Sequence, residues 1–245
     1  MTKTDLVQRY RHLRRIAGKI QEAALEPVPH GTILEFGRRL GVVRMGELWV
    51  VGQELKLVQD LAIHTARPGR SRTIDRYARC AAMPPDSDEG RVLAALRQAR
   101  FTMFKIETPH PAGGAMARDL LLKRSFHLMD VSIGLSAPPG FAFAGRLAAI
   151  EGFRMSCLTV MPLQRELLEH VSSRLPWPGR GREIDWYQDP RCAVTMYRSA
   201  IDLGTMRRCV TFDVIEEVPT MRDIAAVMDI SDRRSVDLPV LTEVD

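Results

Sequence analysis

The stretch "RFTMFKIET", residues 100 to 108, marks a change in the sequence from a helical pattern to a β-strand pattern. Phe101 and Met103 alternate with polar residues, and Ile106 continues the apolar series after Phe104. Successive side chains of a strand point to opposite faces, so a period of two predicts a strand with a buried face. A β-region is therefore expected to begin at residue 100.

Four further strands are predicted downstream. "GGAMARDLLLKRSFHLMDVSIGLS" predicts two strands joined near "LKRS", and "GFAFAGRLAAIEGFRMSCLTVMPL" predicts two more around "IEG". Five short strands within about sixty residues indicate a small bent antiparallel sheet or a barrel.

The chain before residue 100 has the helical period instead. Leu6, Tyr10 and Leu13 begin a series spaced by three and four residues, which predicts a helix over 5–25. Shorter helices are predicted over 32–41, most of 47–64, 73–80 and 91–99, and another near 163–175. The expected fold class is α+β, with a helical region 1–99, a small β-region 100–161 packed with it, and a mixed C-terminal region 162–245.

Composition favours a globular protein. The chain has 245 residues, of which 45% are hydrophobic and 27% charged, and it contains no apolar run as long as a membrane span. The first fifteen residues carry charges throughout and lack the apolar core of a secretory signal. These observations predict a cytoplasmic protein with no membrane partner.

The cysteines and histidines lack the spacing of metal ligands. Cys80, Cys157, Cys192 and Cys209 lie far apart, and the six histidines are dispersed. The spacing predicts neither a metal site nor a disulfide framework. The phosphate-binding loops G-x-x-x-x-G-K-[ST] and G-x-G-x-x-G and the serine-hydrolase motif G-x-S-x-G are absent from the sequence, so no cofactor is predicted.

Positive charge is concentrated towards the N-terminus of a chain whose formal net charge is +5. The stretch "HTARPGRSRTIDRYAR", residues 64 to 79, carries five arginines with Tyr77 between them: Arg67, Arg70, Arg72, Arg76 and Arg79. A second basic ridge on the first predicted helix comprises Arg11, His12, Arg15 and Lys19. Guanidinium groups bind phosphates in pairs of hydrogen bonds, and an aromatic ring can stack on a base. Both sets are therefore candidate contacts for nucleic acid or another polyanion.

Structural roles for these arginines remain open as well. The C-terminal third is acidic, and residues such as Glu183 or Asp185 could pair with arginines of the N-terminal half. Most charged helix faces are simply solvated.

Three carboxylates form the most enzyme-like pattern. Glu107, Asp119 and Asp130 lie on or beside adjacent predicted strands, where converging acids can hold a divalent metal or act as general acid and base. The alternative is that each acid lies beside a turn, where Asp and Glu are common.

Four segments together resemble an uncharacterised bacterial domain that often precedes a cysteine-rich SEC-C zinc motif: "GRSRTIDRYAR", "DEGRVLAALRQARFTMFKIE", "ARDLLLKRSFHLMD" and "GFAFAGRLAAIEG". The resemblance covers roughly residues 30 to 165 and implies helices that lead into a small β-region. It implies no chemistry. The SEC-C cysteines are absent here, so zinc and the associated partner binding are not implied.

The sequence favours a non-enzymatic cytoplasmic binding module whose basic N-terminal half contacts nucleic acid, another polyanion or an acidic protein. The alternatives are a protein-binding accessory subunit and a metal-assisted hydrolase that uses the strand carboxylates.

Overall fold

The computed structural model describes residues 3–50, 52–66 and 69–206, together with the strand residues 212–213 and 235–236. The fold is α+β, as predicted: helices form the N-terminal part, and a five-stranded sheet follows. None of the helices in these residues is both long and apolar enough to cross a bilayer.

Helices dominate the chain before residue 99, as the periodicity predicted. Their bounds are α1 Lys3–Leu25, α2 His30–Leu40, α3 Gln53–His64, α4 Thr73–Cys80 and α5 Asp88–Gln98. Two ends have clear local causes. Gly41 ends α2 with a left-handed φ of 72°, and the Ser87 hydroxyl accepts a hydrogen bond from the Gly90 N–H at the start of α5.

The helix predicted over most of 47–64 begins later than expected. A two-stranded hairpin, β1 Val43–Arg44 and β2 Glu47–Leu48, precedes it. Met45 and Gly46 form its turn with φ values of 52° and 84°, a combination that suits a tight hairpin. Gly52 then precedes the first residue of α3 with a φ of 49°.

The five predicted strands close into a barrel. They are β3 Arg100–Pro109, β4 Ala115–Asp119, β5 Ser125–Leu128, β6 Ala142–Ile150 and β7 Phe153–Pro162, and the order around the barrel is β3, β4, β5, β7, β6. Four of the neighbouring pairs are antiparallel, whereas β5 and β7 are parallel and meet at Leu128 and Arg154. The sheet is therefore mixed rather than wholly antiparallel.

The prediction that strand structure continues through "DVSIGLS" is wrong. Val131–Ser136 forms the short helix α6, because the Asp130 carboxylate accepts a hydrogen bond from the Ile133 N–H (3.1 Å) and caps its first turn.

The remaining elements follow the barrel. They are α7 Arg165–Ser172, α8 Glu183–Gln188, α9 Pro190–Asp202, and the strand pair β8 Phe212–Asp213 and β9 Ser235–Val236. Short pieces of mixed type were predicted here. Most of the last forty residues lie outside the described part of the chain.

The barrel is buried inside and on much of its outside. Phe104, Leu128 and Phe143 belong to a cluster at inward-facing strand positions. A second cluster joins α1, α4 and α5 to β6 and β7, and a third joins α2, α3, α7 and α9 to β3 and β6. The helices therefore pack directly against the outer face of the barrel.

Arg14 of α1 donates hydrogen bonds to β7 where the pairing of β7 with β6 is interrupted. The register between β6 and β7 shifts so that Arg146 alone lies opposite Cys157, Leu158 and Thr159. Arg14 donates to the carbonyl oxygens of Ser156, Cys157 (2.6 Å) and Leu158 (3.4 Å). The guanidinium thus satisfies backbone acceptors at a bulge where regular pairing is interrupted.

Candidate functional site

Arg72, from the predicted arginine cluster, faces inward and has a structural partner. Its Nε and Nη2 donate to the two oxygens of Asp75 (2.7 and 3.0 Å), and Nη2 also donates to the Arg97 carbonyl oxygen (2.8 Å). Arg97 contacts the same carboxylate at 3.3 Å. Burial acts to raise the pKa of Asp75, but the two arginines hold it below its ordinary value. These contacts join the start of α4 to the end of α5.

The other described arginines of this stretch face solvent. Arg76 donates to the Ser71 carbonyl oxygen and to the Thr73 hydroxyl (2.8 Å), and Arg79 donates to the Ser71 hydroxyl (3.2 Å). Arg70 is exposed. These three arginines form no ion pair with a carboxylate among the residues that the structure describes.

Two further members of the predicted cluster differ from this pattern. Tyr77 is half-buried and packs against the cluster that joins α1, α4 and α5 to the barrel. Arg67 lies outside the described residues.

The basic ridge on α1 also contains both exposed side chains and side chains that are bound to carboxylates. Arg11, Arg15 and Lys19 are exposed, and within the described ranges they form no ion pair. His12 contacts Asp88 at 2.9 Å, and Arg9 binds Asp88 (2.6 Å) and Glu151 (2.7 Å). The ridge and the adjacent Arg9 therefore combine solvated cations with side chains that hold α1 to α5 and to the barrel.

The three strand carboxylates each have a local partner. Glu107 accepts from the Ser125 hydroxyl (2.7 Å), and Asp130 caps α6 while accepting from Ser156 (3.1 Å). Asp119 accepts from Leu121, Leu122 and Tyr187 through Oδ1 alone, at 2.8 to 3.0 Å. Over the described residues, no three His, Cys, Asp or Glu side chains are grouped to hold a metal ion.

A cavity of about 420 Å³ opens where the ends of α3 and α5 meet the turn between α8 and α9. Four arginines line it against one carboxylate, Asp189: Arg72, Arg97, Arg100 and Arg146. Asp189 caps α9 and pairs with Arg191 (2.7 Å), which lowers the pKa of the carboxyl. Arg100 and Tyr187 also line a second hollow of about 210 Å³, beside Asp119 and Arg154. The lining of the cavity is therefore cationic.

Arg146 is held at the cavity by a buried network. Its Nε donates to both oxygens of Asp60 (3.1 Å each), and the Tyr197 hydroxyl donates to the same carboxylate (3.0 Å). The side chains of Arg146 and Asp60 are only 9% and 2% exposed. Burial acts to lower the pKa of Arg146, yet the charge of Asp60 holds it above its ordinary value. The guanidinium is therefore permanently charged.

His64, the last residue of α3, also lines the cavity. It is buried, and neither ring nitrogen has a hydrogen-bond partner in the described part of the chain. Burial, followed by the charges of Arg146 and Arg72, holds the pKa of His64 well below its ordinary value. The imidazole is therefore neutral.

A family model described as a family of unknown function, DUF7986, matches residues 4–173 of this chain. The chain belongs to the DUF7986 family. No match was found among curated proteins or among solved structures. The DUF7986 match includes the helices α1 to α7 and the barrel, and it confirms membership of a domain family without assigned activity. The cavity lies at the border of the DUF7986 region, because α8 and α9 follow residue 173.

Of the residues at the cavity, Arg72 was a predicted candidate, whereas Asp60, His64 and Arg146 were not. Asp60 and Arg146 are 86 residues apart, and His64 resembled an ordinary helix-terminal residue. A signal was nevertheless present: Asp60 stands in "LVQDLAIH" and Arg146 in "FAFAGRLAAI", each a single charge in an apolar segment. Buried charges of opposite sign require partners, so each of these residues predicted the other.

Proposed function

We propose that this DUF7986 protein is a non-enzymatic binding module whose surface on α1 and α4 contacts the phosphate backbone of nucleic acid. We call this surface the α1–α4 face: Arg11, Arg15, Lys19, Arg70, Arg76 and Arg79. The observation that carries the proposal is that all six cations are exposed and lack a carboxylate partner in the described ranges. Helices α1 and α4 pack against each other, which supports a single surface that includes cations of both helices and the preceding Arg70.

The neighbouring cations provide the contrast that supports this interpretation. Arg9, Arg14 and Arg72 belong to the same two segments, and each is bound to a carboxylate or to backbone carbonyl oxygens. These three residues therefore have structural roles, whereas Arg76 and Arg79 bond only the neighbouring Ser71 and Thr73. The cations of the α1–α4 face remain available for phosphates, which arginine and lysine bind through charge-assisted hydrogen bonds.

Phosphate contacts fix the position of a nucleic acid but carry no sequence information, so little sequence preference is expected. Tyr77 is half-buried, and base stacking is therefore not part of the proposal. Cytoplasmic location is part of it, because nucleic acid must be accessible. The resemblance to a domain that precedes SEC-C motifs contributes no partner, since the SEC-C cysteines are absent from this sequence.

Filter binding of labelled RNA and DNA across a salt series tests the proposal. Arg15→Gln, Arg76→Gln and Arg79→Gln should each weaken binding and reduce the salt slope by about 0.7 to 0.9 if one phosphate contact is lost. Arg38→Gln is a matched control, because Arg38 is an exposed helical arginine on α2, which packs mainly on α3 and α9.

The melting curve of Arg15→Gln should remain unchanged. Arg76→Gln and Arg79→Gln lose only exposed or partly buried hydrogen bonds to Ser71 and Thr73 and should cost at most about 1.5 kcal/mol. Absence of RNA and DNA binding even at low salt would reject nucleic acid and leave an acidic protein surface as the partner of the α1–α4 face. An equal loss in Arg38→Gln would show that binding depends on net charge rather than on this face.

A further inference from the structure

The cavity contains a buried cation whose hydrogen-bonding capacity is only partly used. Arg146 donates from Nε to Asp60, and its two terminal amino groups have no acceptor within the described part of the chain. A guanidinium carries five N–H donors, so the donors of the terminal amino groups remain for a ligand in the cavity. The Arg146 guanidinium, which is 9% exposed and lines an open cavity, can therefore donate hydrogen bonds to a ligand in that cavity.

His64 is a second side chain at the cavity that can hydrogen-bond a ligand, and unlike Arg146 it is uncharged. It is a neutral imidazole with two unpaired ring nitrogens at the wall of the same cavity. A neutral histidine retains one N–H donor and one acceptor. His64 thus brings a buried polar side chain without a partner to the cavity that Arg146 also lines, whereas buried polar groups in proteins are nearly always hydrogen-bonded.

The charges around the cavity select the class of ligand. Arg100 is exposed at its edge and makes no side-chain hydrogen bond to the described residues, while Arg72 and Arg97 share the carboxylate of Asp75. Asp60 and Asp75 are engaged by arginines, and Asp189 is engaged by Arg191. The lining therefore favours an anion over a cation or a neutral molecule.

We propose that this cavity binds the oxyanion group, phosphate or carboxylate, of a small molecule, held chiefly by the guanidinium groups of Arg100 and Arg146. Planar guanidinium groups match the two oxygens of a carboxylate or phosphate. The cavity volume lies within the usual range of about 300 to 1,000 Å³ for small-molecule sites. This site is separate from the α1–α4 face, and it does not depend on nucleic-acid binding.

Isothermal titration calorimetry with inorganic phosphate and with malonate, at constant ionic strength set by sodium chloride, tests the proposal. The wild-type protein should show saturable binding of at least one of the two anions, and the stronger one identifies the preferred group. Arg100→Gln should weaken it about tenfold or more, the effect of losing one charge-assisted hydrogen bond. Arg38→Gln, which alters an exposed arginine of α2 outside both proposed sites, should leave the affinity unchanged.

Absence of saturable binding of both anions by the wild-type protein would overturn the proposal. An equal loss of affinity in Arg38→Gln would also overturn it, because binding would then reflect surface charge. Arg100→Gln should still bind RNA as the wild-type protein does, so failure of the α1–α4 face and failure of the cavity remain distinguishable.

Nuclear magnetic resonance of the imidazole nitrogens locates the bound anion without any substitution. The chain has six histidines, and among the residues lining the cavity only His64 is one. Addition of the preferred anion should shift the His64 nitrogen signals more than those of the other five. A titration that shifts other histidines and leaves His64 unchanged would place the anion elsewhere and refute the cavity site.

Discussion

At the residue scale, buried charges decide the outcome of substitutions near the barrel. Arg146 and Asp60 compensate each other, and the Tyr197 hydroxyl completes the network. Asp119 forms no ion pair with the residues that the structure describes, and backbone amides and a tyrosine hydroxyl satisfy it instead. Substitutions at the two buried carboxylates, Asp60 and Asp119, should therefore have opposite effects on the stability of the protein.

The Arg146–Asp60 pair should show strong coupling. Arg146→Met leaves Asp60 as an uncompensated buried charge and should lower the free energy of unfolding by about 3 to 5 kcal/mol. The double variant Asp60→Leu with Arg146→Met removes both charges and should cost less than the sum of the single changes. Urea denaturation followed by circular dichroism measures all three variants, and strict additivity would contradict the inferred pairing.

Asp119→Asn should leave the protein folded and as stable as the wild type, or more so, at neutral pH. All three hydrogen bonds reach Oδ1, which asparagine retains, while the buried charge disappears. Burial raises the pKa of Asp119. A raised carboxyl pKa contributes stability below the unfolded value of about 4, and this contribution is lost as pH rises through the folded value.

The advantage of Asp119→Asn should therefore grow as pH increases from about 4, as measured by thermal unfolding. Asp119→Ala is the control, because it removes the acceptor and should cost about 1 to 3 kcal/mol or more. Destabilisation by Asn as large as that by Ala would show that the charge itself is required.

At the element scale, local sequence determined most helix and strand positions. Residues close together in the sequence specify the buried face of α1 and the end of α2 at a glycine. They also specify the hairpin of β6 and β7 at Glu151 and Gly152. The errors arose where one side chain overrides a pattern, as when Asp130 caps α6 at the end of a strand-like segment. Contacts between elements, such as α1 with α5, depend on ion pairs that the pattern does not specify.

Acid should weaken the contact between α1 and α5. Hydrogen bonds from Arg9, with a smaller contribution from His12, hold the pKa of Asp88 at about 2. A lowered carboxyl pKa contributes stability above the unfolded value of about 4, and that contribution is lost as pH falls through about 2. Asp88→Asn should therefore be less stable than the wild type at pH 7, and the difference should vanish towards pH 2.

Thermal unfolding between pH 7 and pH 2 measures this difference. Glu89→Gln is the matched control, because Glu89 lies exposed in the same first turn of α5 and has no ion pair in the described ranges. A difference between Asp88→Asn and the wild type that stays constant with pH would contradict the role of the Asp88 charge.

At the scale of the whole molecule, the α+β class and the small barrel were predictable because period-two and helical patterns extend over several neighbouring residues. The cavity was not predictable in this way, because Asp60, His64 and Arg146 converge through packing of α3 on the barrel. Of the arginines in residues 64 to 79, Arg72 pairs with the nearby Asp75 rather than with Glu183 or Asp185, which the structural alternative offered as partners. The division into three regions stays a prediction, since the hydrophobic clusters span its boundaries.

The closed barrel also limits how this protein can recognise another chain. Peptides often bind by adding a strand to an exposed sheet edge, where unpaired N–H and C=O groups are available. In this barrel each strand has neighbours on both sides, and Arg14 occupies carbonyl oxygens where β7 departs from regular pairing. Strand addition therefore has a template in the barrel only where β5 and β7 are joined by the single pair Leu128 and Arg154, and we expect recognition chiefly through the side chains of helices and loops.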